Sequence, residues 1–322
     1  MIALQDLGAF VEKAVADYQF PQQPENLYDP LRYFMQLGGK RIRPVLTLMG
    51  GHLFGVPREE SLPAALSIEF FHNFSLIHDD IMDQAPVRRG KPTVHTKWNA
   101  NIAILSGDVL FTEAYEQLTH YRDERLADLL SCFNRTAREV CEGQQMDMDF
   151  EALGDVSEEE YIEMIRLKTS VLLGCALEFG AIIARKDEET RAHLRDFGVQ
   201  LGIAFQIQDD WLDLYADPDK FGKQVGGDIL ANKKTLLLLV ARHLAAQNGD
   251  NRVEALLAME ASAEKVQLAQ ELFRELGADQ LILRTMDMYY KQAMAQLEEI
   301  AVSNEQKAPL RELAAFLMNR EM

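Results

Sequence analysis

The acidic pattern D-D-x-x-D occurs twice in this chain of 322 residues. The first copy is Asp79-Asp80-Ile81-Met82-Asp83, and the second is Asp209-Asp210-Trp211-Leu212-Asp213, about 130 residues later. In an α-helix, residues i and i+4 lie on one face about 6 Å apart, so each copy directs two carboxylates the same way. Each copy is therefore a potential bidentate clamp for a cation.

The sequence around the two copies indicates what that cation is. Residues 68–83 and 191–213 are apolar on several faces, as in the central helices of a bundle. Pro86 and Pro218 follow shortly, which predicts that both copies lie near helix C-termini, where the macrodipole disfavours carboxylates. Oxygen ligands without neighbouring His or Cys are typical of magnesium sites. Two solvated acidic helix ends are the alternative, but the matched repeat favours the metal.

The rest of the chain predicts an all-α protein. Apolar residues recur mainly at three- and four-residue intervals, and only ten prolines and nineteen glycines are present. The breaks between periodic segments are residues 21–30, 38–39, 50–57, 86–92, 153–157 and 218–227. They separate about ten helices, and none is long enough to be a linker. We therefore expect a single domain spanning residues 1–322.

Charge and composition narrow the classes of partner and compartment. The formal net charge of -18 argues against a nucleic-acid partner, because binding a phosphate backbone requires a basic surface. Three cysteines without metal-type spacing favour a reducing compartment, and we expect a cytoplasmic location. The N-terminal stretch carries acids and does not read as a signal peptide. The longest apolar run, residues 236–241, is far shorter than the roughly 20 residues that cross a bilayer, so we expect no stable membrane insertion.

Basic residues cluster locally in this acidic chain. Residues 38–44 read GGKRIRP, and residues 88–91 read RRGK, directly after the first aspartate cluster. Arginine forks match the oxygens of a diphosphate, and a lysine adds a compact charge. The alternative is a pair of solvated basic loops. Taken alone, Thr169 and Gln206 are more typical of polar groups satisfied within a helical core, and His72 of a core histidine.

In combination, these residues closely resemble the trans-prenyl diphosphate synthases, which include farnesyl and geranylgeranyl diphosphate synthases. The matching motifs are GGKRIRP at 38–44, DDIMDQAPVRRGKPTVH at 79–95, LSGDVL at 105–110, GQQMD at 143–147, KTSVLL at 168–173, FQIQDDWLD at 205–213 and GKQVGGDI at 222–229. The resemblance covers about residues 35–235, and the C-terminal helices agree only in general character. It implies a single large helical bundle, the isoprenoid synthase fold, around a deep central cavity. It also implies a homodimer in which the two aspartate clusters face each other across the mouth of that cavity.

The resemblance assigns roles to particular residues. It implies that Mg2+ is bound directly by Asp79, Asp83 and Asp209, while its bound water or ligand orientation depends on Asp80, Asp210 and Asp213. The residues implied for isopentenyl diphosphate are Lys40, Arg43, His72 and Arg89. Those implied for the allylic diphosphate are Arg88, Lys168, Lys223 and Lys233. Thr169 and Gln206 would face the developing allylic cation, and some family members carry Gln at the position of His72. The residues expected to act in catalysis are Lys168, Thr169, Gln206, Arg88 and Lys233.

The implied reaction joins isopentenyl diphosphate to dimethylallyl, geranyl or farnesyl diphosphate. Metal and cations stabilise the leaving diphosphate, which is also the proton acceptor, so no protein base is required. A terpene cyclase is an alternative, but it ordinarily replaces the second D-D-x-x-D with an Asn/Ser/Glu-type motif. A non-catalytic subunit of a heteromeric synthase is another alternative, although such a subunit would lose ligands that this chain retains.

Product length depends, by the same resemblance, on side chains beneath the first aspartate cluster. Here they are Phe71, Phe74 and Ser75. Relative to Asp79, an ideal helix places Ser75 about 40° away, Phe71 about 80° and Phe74 about 140°, which favours Phe71 as the obstruction. The resemblance points instead to Phe74, because one aromatic residue there followed by a small residue is typical of twenty-carbon synthases. We therefore expect geranylgeranyl diphosphate rather than farnesyl diphosphate.

Overall fold

A computed structural model describes residues 4–216 and 225–318, and most of these residues are α-helical. The first helices are α1 (Leu4–Asp17), α2 (Glu25–Met35), α3 (Ile42–His52), α4 (Arg58–Met82), α5 (Val94–Lys97), α6 (Ala100–Leu118), α7 (Arg125–Ala152) and α8 (Glu158–Ile165). After a π-helical turn, Arg166–Ser170, follow α9 (Val171–Ile183), α10 (Glu188–Tyr215), α11 (Gly227–Leu230), α12 (Leu236–Gln247), α13 (Arg252–Leu257), α14 (Ala263–Leu276), α15 (Ala278–Glu299) and α16 (Asn304–Met318). The all-α prediction is confirmed.

The predicted number of helices was too low, since the described ranges contain sixteen. Several connections, including those between α6 and α7 and between α15 and α16, contain no glycine or proline and therefore gave no predicted break. The predicted break at residues 21–30 was also wrong at its end. Helix α2 already begins at Glu25 and contains Pro30.

A short antiparallel hairpin follows α4, at residues predicted to form a break. Strand β1 (Val87–Arg88) pairs with β2 (Lys91–Pro92), with Arg88 opposite Lys91. The two residues of its turn, Arg89 and Gly90, have φ values of 52° and 72°. Positive φ at both positions is the geometry of a tight two-residue hairpin. The chain therefore reverses directly after the first aspartate cluster.

The chain divides into two compact units. The first consists of the described residues within Met1–Phe133, Cys175–Ala192 and Val302–Pro309. The second consists of those within Asn134–Gly174, His193–Ala301 and Leu310–Met322. The expected single domain over residues 1–322 stays a prediction.

The first unit is built around α4, which packs most extensively against α6 and α3. Ala64, Ala65, Ile68 and Phe70 on α4 are completely buried, as expected for a helix that is apolar on several faces. The helix begins at Arg58, directly after the predicted break at residues 50–57, and ends at Met82. The helix therefore runs through this core and has the first aspartate cluster at its C-terminal end.

Helices α3 and α9 approach each other at glycines in the first unit. A Cβ atom added to Gly180 would lie 2.3 Å from the backbone nitrogen of Gly51, and one added to Gly50 would lie 2.7 Å from the carbonyl oxygen of Leu177. Real Cβ atoms do not approach so closely, so the backbones touch only because these residues lack side chains.

The second unit has its own core around α12. Leu236 to Val240 are each exposed by 5% or less, and they pack with Phe150, Ile207 and Phe273. The most apolar run of the sequence is therefore core. None of the helices in the described ranges is both long and apolar enough to cross a membrane.

We expect Gly180→Ala to lower the free energy of unfolding by about 1–3 kcal/mol, because its methyl group must separate α3 from α9. Gly8→Ala is the matched control, since Gly8 lies within α1 and an added Cβ would meet nothing within 4 Å. It should stabilise the protein by about 0.5–1 kcal/mol through helix propensity. Thermal unfolding measures both, and equal effects would contradict the close packing.

Candidate active site

The first aspartate cluster occupies the last turn of α4, as predicted. Asp83 ends this helix, and its backbone N–H donates to the carbonyl oxygen of Asp79 at 2.8 Å. The side chains of Asp79 and Asp83 are partly or fully exposed, whereas Asp80 is 1% exposed. The i, i+4 pair is thus separated from an inward-facing third carboxylate.

Asp80 is held by the hairpin that follows it. Arg88 Nε donates to Asp80 Oδ1 at 2.8 Å. Burial raises the pKa of Asp80 above its ordinary value, and the Arg88 charge opposes that rise. Within the described part of the chain, Asp80 Oδ2 is buried without a hydrogen-bond partner. The cluster therefore retains an acceptor oxygen beside its two outward carboxylates.

Arg43 and His72 meet beside this cluster in the first unit. Arg43 Nη1 lies 3.1 Å from His72 Nε2. The pKa of His72 is lowered well below its ordinary value, chiefly by burial and then by the charges of Arg43, Arg89 and Arg88. Because Arg43 can only donate, the neutral ring accepts at Nε2 and carries its proton on Nδ1.

Arg43 itself is a partly buried cation with unused bonding capacity. Burial lowers its pKa to about 10, against the opposing effect of Glu69. Its Nε atom is buried, with no hydrogen-bond acceptor among the described residues. A guanidinium in this state is suited to an anionic ligand.

Arg89 brings the two basic segments together. Its Nη1 atom donates to the carbonyl oxygen of Gly38, and a Cβ atom on Gly39 would lie 3.1 Å from Arg89 Nη2. Gly39 has a φ of 150°, and the loop continues through exposed Lys40 into α3. The structure thus places Arg43, His72 and Arg89 together, with Lys40 on the adjoining loop.

Arg41, from the same basic motif, has a structural role. It is 5% exposed and pairs with buried Glu69 and with Glu12, and its Nη2 atom donates to the carbonyl oxygen of Met35 at 2.9 Å. Glu69 also accepts from Asn73 Nδ2 at 2.8 Å. The motif therefore combines an anchoring cation with cations directed to other partners.

The second aspartate cluster lies in the last two turns of α10, again as predicted. Asp210 is 6% exposed, and Tyr161 Oη donates to its Oδ2 atom at 2.6 Å. Gln206 Nε2 donates to Asp210 Oδ1 at 3.3 Å. Burial, followed by the charge of Asp228, raises the pKa of Asp210 to about 7, although the Tyr161 hydrogen bond lowers it.

The other two acids of this cluster, Asp209 and Asp213, are partly exposed. Asp213 Oδ2 accepts from the backbone N–H of Asp228 at 2.9 Å, and the Asp213 carbonyl oxygen accepts from the backbone N–H of Gly226 at 2.6 Å. The turn at the start of α11 is thereby tied to the end of α10.

Lys168 projects from the π-helical turn between α8 and α9. Its Nζ atom donates to Asp147 Oδ2 on α7. A Cβ atom on Gly143 would lie only 2.2 Å from the backbone nitrogen of Lys168, so this glycine allows α7 to approach the turn. π-helical turns occur frequently at functional sites. Thr169 follows in the same turn and is partly buried.

Lys233 follows α11, whereas Lys223 lies outside the described residues. The backbone N–H of Lys233 donates to the carbonyl oxygen of Asp228 at 2.9 Å. Its charge lowers the pKa of Asp210, which indicates that the two are within electrostatic range. The second unit thus gathers Lys233 and Gln206 around Asp210.

An aromatic cluster lies beneath the first aspartate cluster. The ring of Phe74 stacks on Phe111, with centroids 4.8 Å apart and planes at 15°. Phe71 is 1% exposed and packs edge to face with Phe133, with centroids 5.2 Å apart. Phe74 is partly exposed, and Ser75 Oγ donates to the carbonyl oxygen of His72 at 2.9 Å. Phe74 is therefore the ring better able to contact a ligand.

The sequence analysis did not identify two residues that hold Lys168 and Asp210 in place, namely Asp147 and Tyr161. Asp147 is the last residue of the GQQMD motif, and the motif alone predicts no role for it. Tyr161 lies seven residues before Lys168, and no local pattern marks it. Its role follows only from its 2.6 Å hydrogen bond to Asp210.

The donor chemistry fits a hard divalent cation. No three His, Cys, Asp or Glu side chains converge on one point within residues 4–216 and 225–318. Magnesium does not require such a cage, since one or two carboxylates with waters and substrate phosphates are its usual ligands in enzymes. The exposed carboxylate of Asp83 is a suitable direct donor, and the unpartnered Asp80 Oδ2 is a suitable acceptor for metal-bound water.

Comparison with known proteins agrees with this geometry. Residues 24–276 match the sequence model of the polyprenyl synthetase family. The chain belongs to this family. A geranylgeranyl diphosphate synthase of Methanosarcina mazei is 34% identical over 320 aligned residues, covering 99% of this chain and 97% of that protein. A geranylfarnesyl diphosphate synthase of Natronomonas pharaonis is 36% identical over 336 residues, with the same coverage.

A solved polyprenyl synthetase also shares the fold. The geranylgeranyl pyrophosphate synthase of Corynebacterium glutamicum, in complex with isoprenyl diphosphate and magnesium, has a TM-score of 0.86 and 28% identity. The match covers 99% of this chain and 100% of that one. The predicted isoprenoid synthase fold is confirmed for this member of the family.

We expect Asp210→Asn to raise the unfolding temperature at pH 8 in buffer without divalent cations. The folded-state pKa of about 7 exceeds the ordinary value of 3.8, so the folded chain binds the extra proton between these values. Stability therefore falls as pH rises through that window, and the asparagine variant escapes the fall.

Thermal unfolding from pH 4 to pH 8 checks this prediction. The difference between variant and parent should be negligible at pH 4 and should grow until about pH 7. Asp287→Asn is the control, because that carboxylate is exposed on α15. A pH-independent difference for Asp210→Asn would contradict the raised pKa.

Proposed function

We propose that this chain is a prenyltransferase that condenses isopentenyl diphosphate with allylic diphosphates, with geranylgeranyl diphosphate as its main product. The observation that carries the proposal is the group of cations around neutral His72, beside the acidic end of α4. Concentrating Arg43, Arg88 and Arg89 costs electrostatic free energy. A bound diphosphate, with several negative oxygens, offsets that cost and supplies acceptors for the forks.

The isopentenyl diphosphate site comprises Lys40, Arg43, His72 and Arg89. The buried Nε atom of Arg43 supports this assignment, because it has a donor available for a phosphate oxygen. His72 remains neutral and contributes its Nδ1–H as a donor without adding charge. Lys40, on a glycine-flanked exposed loop, is able to adjust to the outer phosphate.

Mg2+ would be held directly by Asp79, Asp83 and Asp209, while Asp80, Asp210 and Asp213 would orient its ligands or bound water. When bound, the magnesium neutralises charge that develops on the leaving diphosphate. Further charge is neutralised by Arg88, Lys168, Lys223 and Lys233. Asp147 supports Lys168 and Tyr161 supports Asp210 by the hydrogen bonds described above.

Ionisation breaks the allylic C–O bond, and its electron pair leaves with the diphosphate. The isopentenyl double bond then attacks the allylic carbon, and a proton passes from the adduct to the released diphosphate. Gln206 donates its amide N–H to Asp210, which leaves its carbonyl oxygen available to the developing cation. Thr169 contributes a hydroxyl oxygen in the same way.

Product length is set by Phe74. Its partial exposure supports this assignment, since fully buried Phe71 is enclosed by other rings. Phe111 stacks on Phe74 and limits how far it turns aside. The Methanosarcina mazei relative is named for a twenty-carbon product and the Natronomonas pharaonis relative for a twenty-five-carbon product. We propose twenty carbons for this chain.

The most direct assay incubates the purified protein and Mg2+ with isopentenyl diphosphate and each allylic primer in turn. The products are dephosphorylated and separated by chromatography. Geranylgeraniol as the main product supports the proposal. Cyclic hydrocarbons would indicate a terpene cyclase, and the absence of product would indicate a non-catalytic subunit.

We propose that the enzyme acts in the cytoplasm as a homodimer. Ile104 and Leu105 on α6 are 42% and 58% exposed, which leaves apolar surface for a second copy. Light scattering should give about 73 kDa, twice the chain mass of 36.5 kDa. A concentration-independent mass of one chain would contradict the dimer.

We expect condensation activity to be lost after chelation and restored by Mg2+. Chelation should abolish activity because carboxylates repel a diphosphate unless a cation lies between them. The double variant Asp79→Ala plus Asp209→Ala should be inactive at every magnesium concentration, because it lacks two of the carboxylates proposed to hold Mg2+. Asp287→Ala, on an exposed face of α15, is the control and should retain activity. Full activity of the double variant would contradict the metal assignment.

We expect Phe74→Ala to lengthen the main product by one or more five-carbon units, because removing the ring opens space beneath the site. Phe71→Ala is the matched comparison and should mainly lower stability, by about 3–5 kcal/mol, as it empties a buried position. Chromatography of dephosphorylated products reads out chain length. Longer products from Phe71→Ala alone would show that the helical wheel was the better guide.

A further inference from the structure

Lys265, in the first turn of α14, is a buried cation that the proposed chemistry does not use. It is 1% exposed. Its Nζ atom donates to Asn232 Oδ1 at 2.7 Å, to the carbonyl oxygen of Met259 at 3.1 Å and to that of Leu257 at 3.4 Å. These three neutral acceptors satisfy the three donors of the ammonium. Burying a charge without a counter-charge is costly, so the arrangement is an unusual way to stabilise a fold.

Asn232, the side-chain partner of Lys265, directly precedes Lys233. Its φ is 52°, in the left-handed region that Asn tolerates better than most residues. Its side chain is held at both ends, because Nδ2 donates to the carbonyl oxygen of Leu257 at 3.1 Å while Oδ1 accepts from Lys265. The backbone direction at which the chain enters Lys233 is therefore set by this anchored residue.

The same turn of α14 supports the segment at a second point. Gly226 has a φ of 79°, and a Cβ atom there would lie 2.7 Å from the methyl carbons of Val266. Between these two points, the backbone carbonyl oxygen of Asp228 accepts a hydrogen bond from the backbone N–H of Lys233 at 2.9 Å. Lys265 and Val266 thus brace both ends of the segment that carries Asp228 and Lys233.

We propose that Lys265 is a positioning residue for Lys233. It does not contact substrate, and it holds Asn232 in the left-handed conformation that directs Lys233 to the allylic diphosphate. The proposal rests on the proposed function, in which Lys233 binds that diphosphate. Its loss must therefore affect the allylic substrate selectively, whereas a purely structural role would affect both substrates or only stability.

The test compares KM values for the allylic primer and for isopentenyl diphosphate in three variants. Lys265→Met keeps the length of the side chain and removes the ammonium, and it should raise the allylic KM by about tenfold while changing the isopentenyl KM by less than about twofold. Asn232→Gly keeps the left-handed backbone, removes the anchor and should act in the same direction. Asn232→Asp retains the acceptor for Lys265 but loses the donor to the carbonyl oxygen of Leu257, so its allylic KM should rise less than that of Asn232→Gly.

Lys307→Met is the matched control, because Lys307 is also a buried lysine, 5% exposed, but lies on α16. It should lower the unfolding temperature without changing the ratio of the two KM values. If Lys265→Met does not fold, the exposed Asn232 variants decide the question. An active parent with unchanged ratios in Lys265→Met and Asn232→Gly would overturn this proposal alone. An inactive parent would overturn the proposed function together with it.

Discussion

The ion pair between Arg88 and the buried carboxylate of Asp80 stabilises the acidic end of α4. It lies at the C-terminal end of α4, where burial and the helix macrodipole both oppose a negative charge. The hairpin reverses the chain immediately afterwards, so that Arg88 pairs with Asp80. Asp79 and Asp83 then remain directed outward. A long helix ending in acids is stable here because Arg88, eight residues after Asp80, returns a cation to it.

Buried cations in both units anchor neighbouring segments through specific partners. In the first unit, Arg41 forms ion pairs with Glu69 and Glu12, while the buried Nε atom of Arg43 has no acceptor among the described residues. In the second, the Lys265 ammonium is satisfied by neutral oxygens and supports Asn232. Arg41 and Arg43, two residues apart in one motif, thus differ in their partners because their surroundings differ. A chain of net charge -18 can accommodate anionic substrates in this way without a basic surface.

The sequence predicted the elements whose cause is local. The ends of α4 and α10 follow from apolar periodicity and nearby prolines, and the aspartate spacing follows from the helical repeat. The roles of Asp147, Tyr161 and Lys265 were not predictable, because each contacts a partner at least 21 residues away in the chain. The choice between Phe71 and Phe74 also required the rings of Phe111 and Phe133, which no helical wheel contains. Connections without glycine or proline concealed several helix ends.

We propose that the allylic diphosphate depends on Mg2+ held by the aspartates, whereas isopentenyl diphosphate is held by protein cations. Calorimetric titration with unreactive thio analogues of each substrate, with and without Mg2+, tests it most directly. We expect the allylic analogue to bind only when Mg2+ is present. The isopentenyl analogue should bind with nearly the same affinity with and without Mg2+. Binding of the allylic analogue after chelation of Mg2+, or loss of isopentenyl analogue binding on chelation, would contradict this proposal.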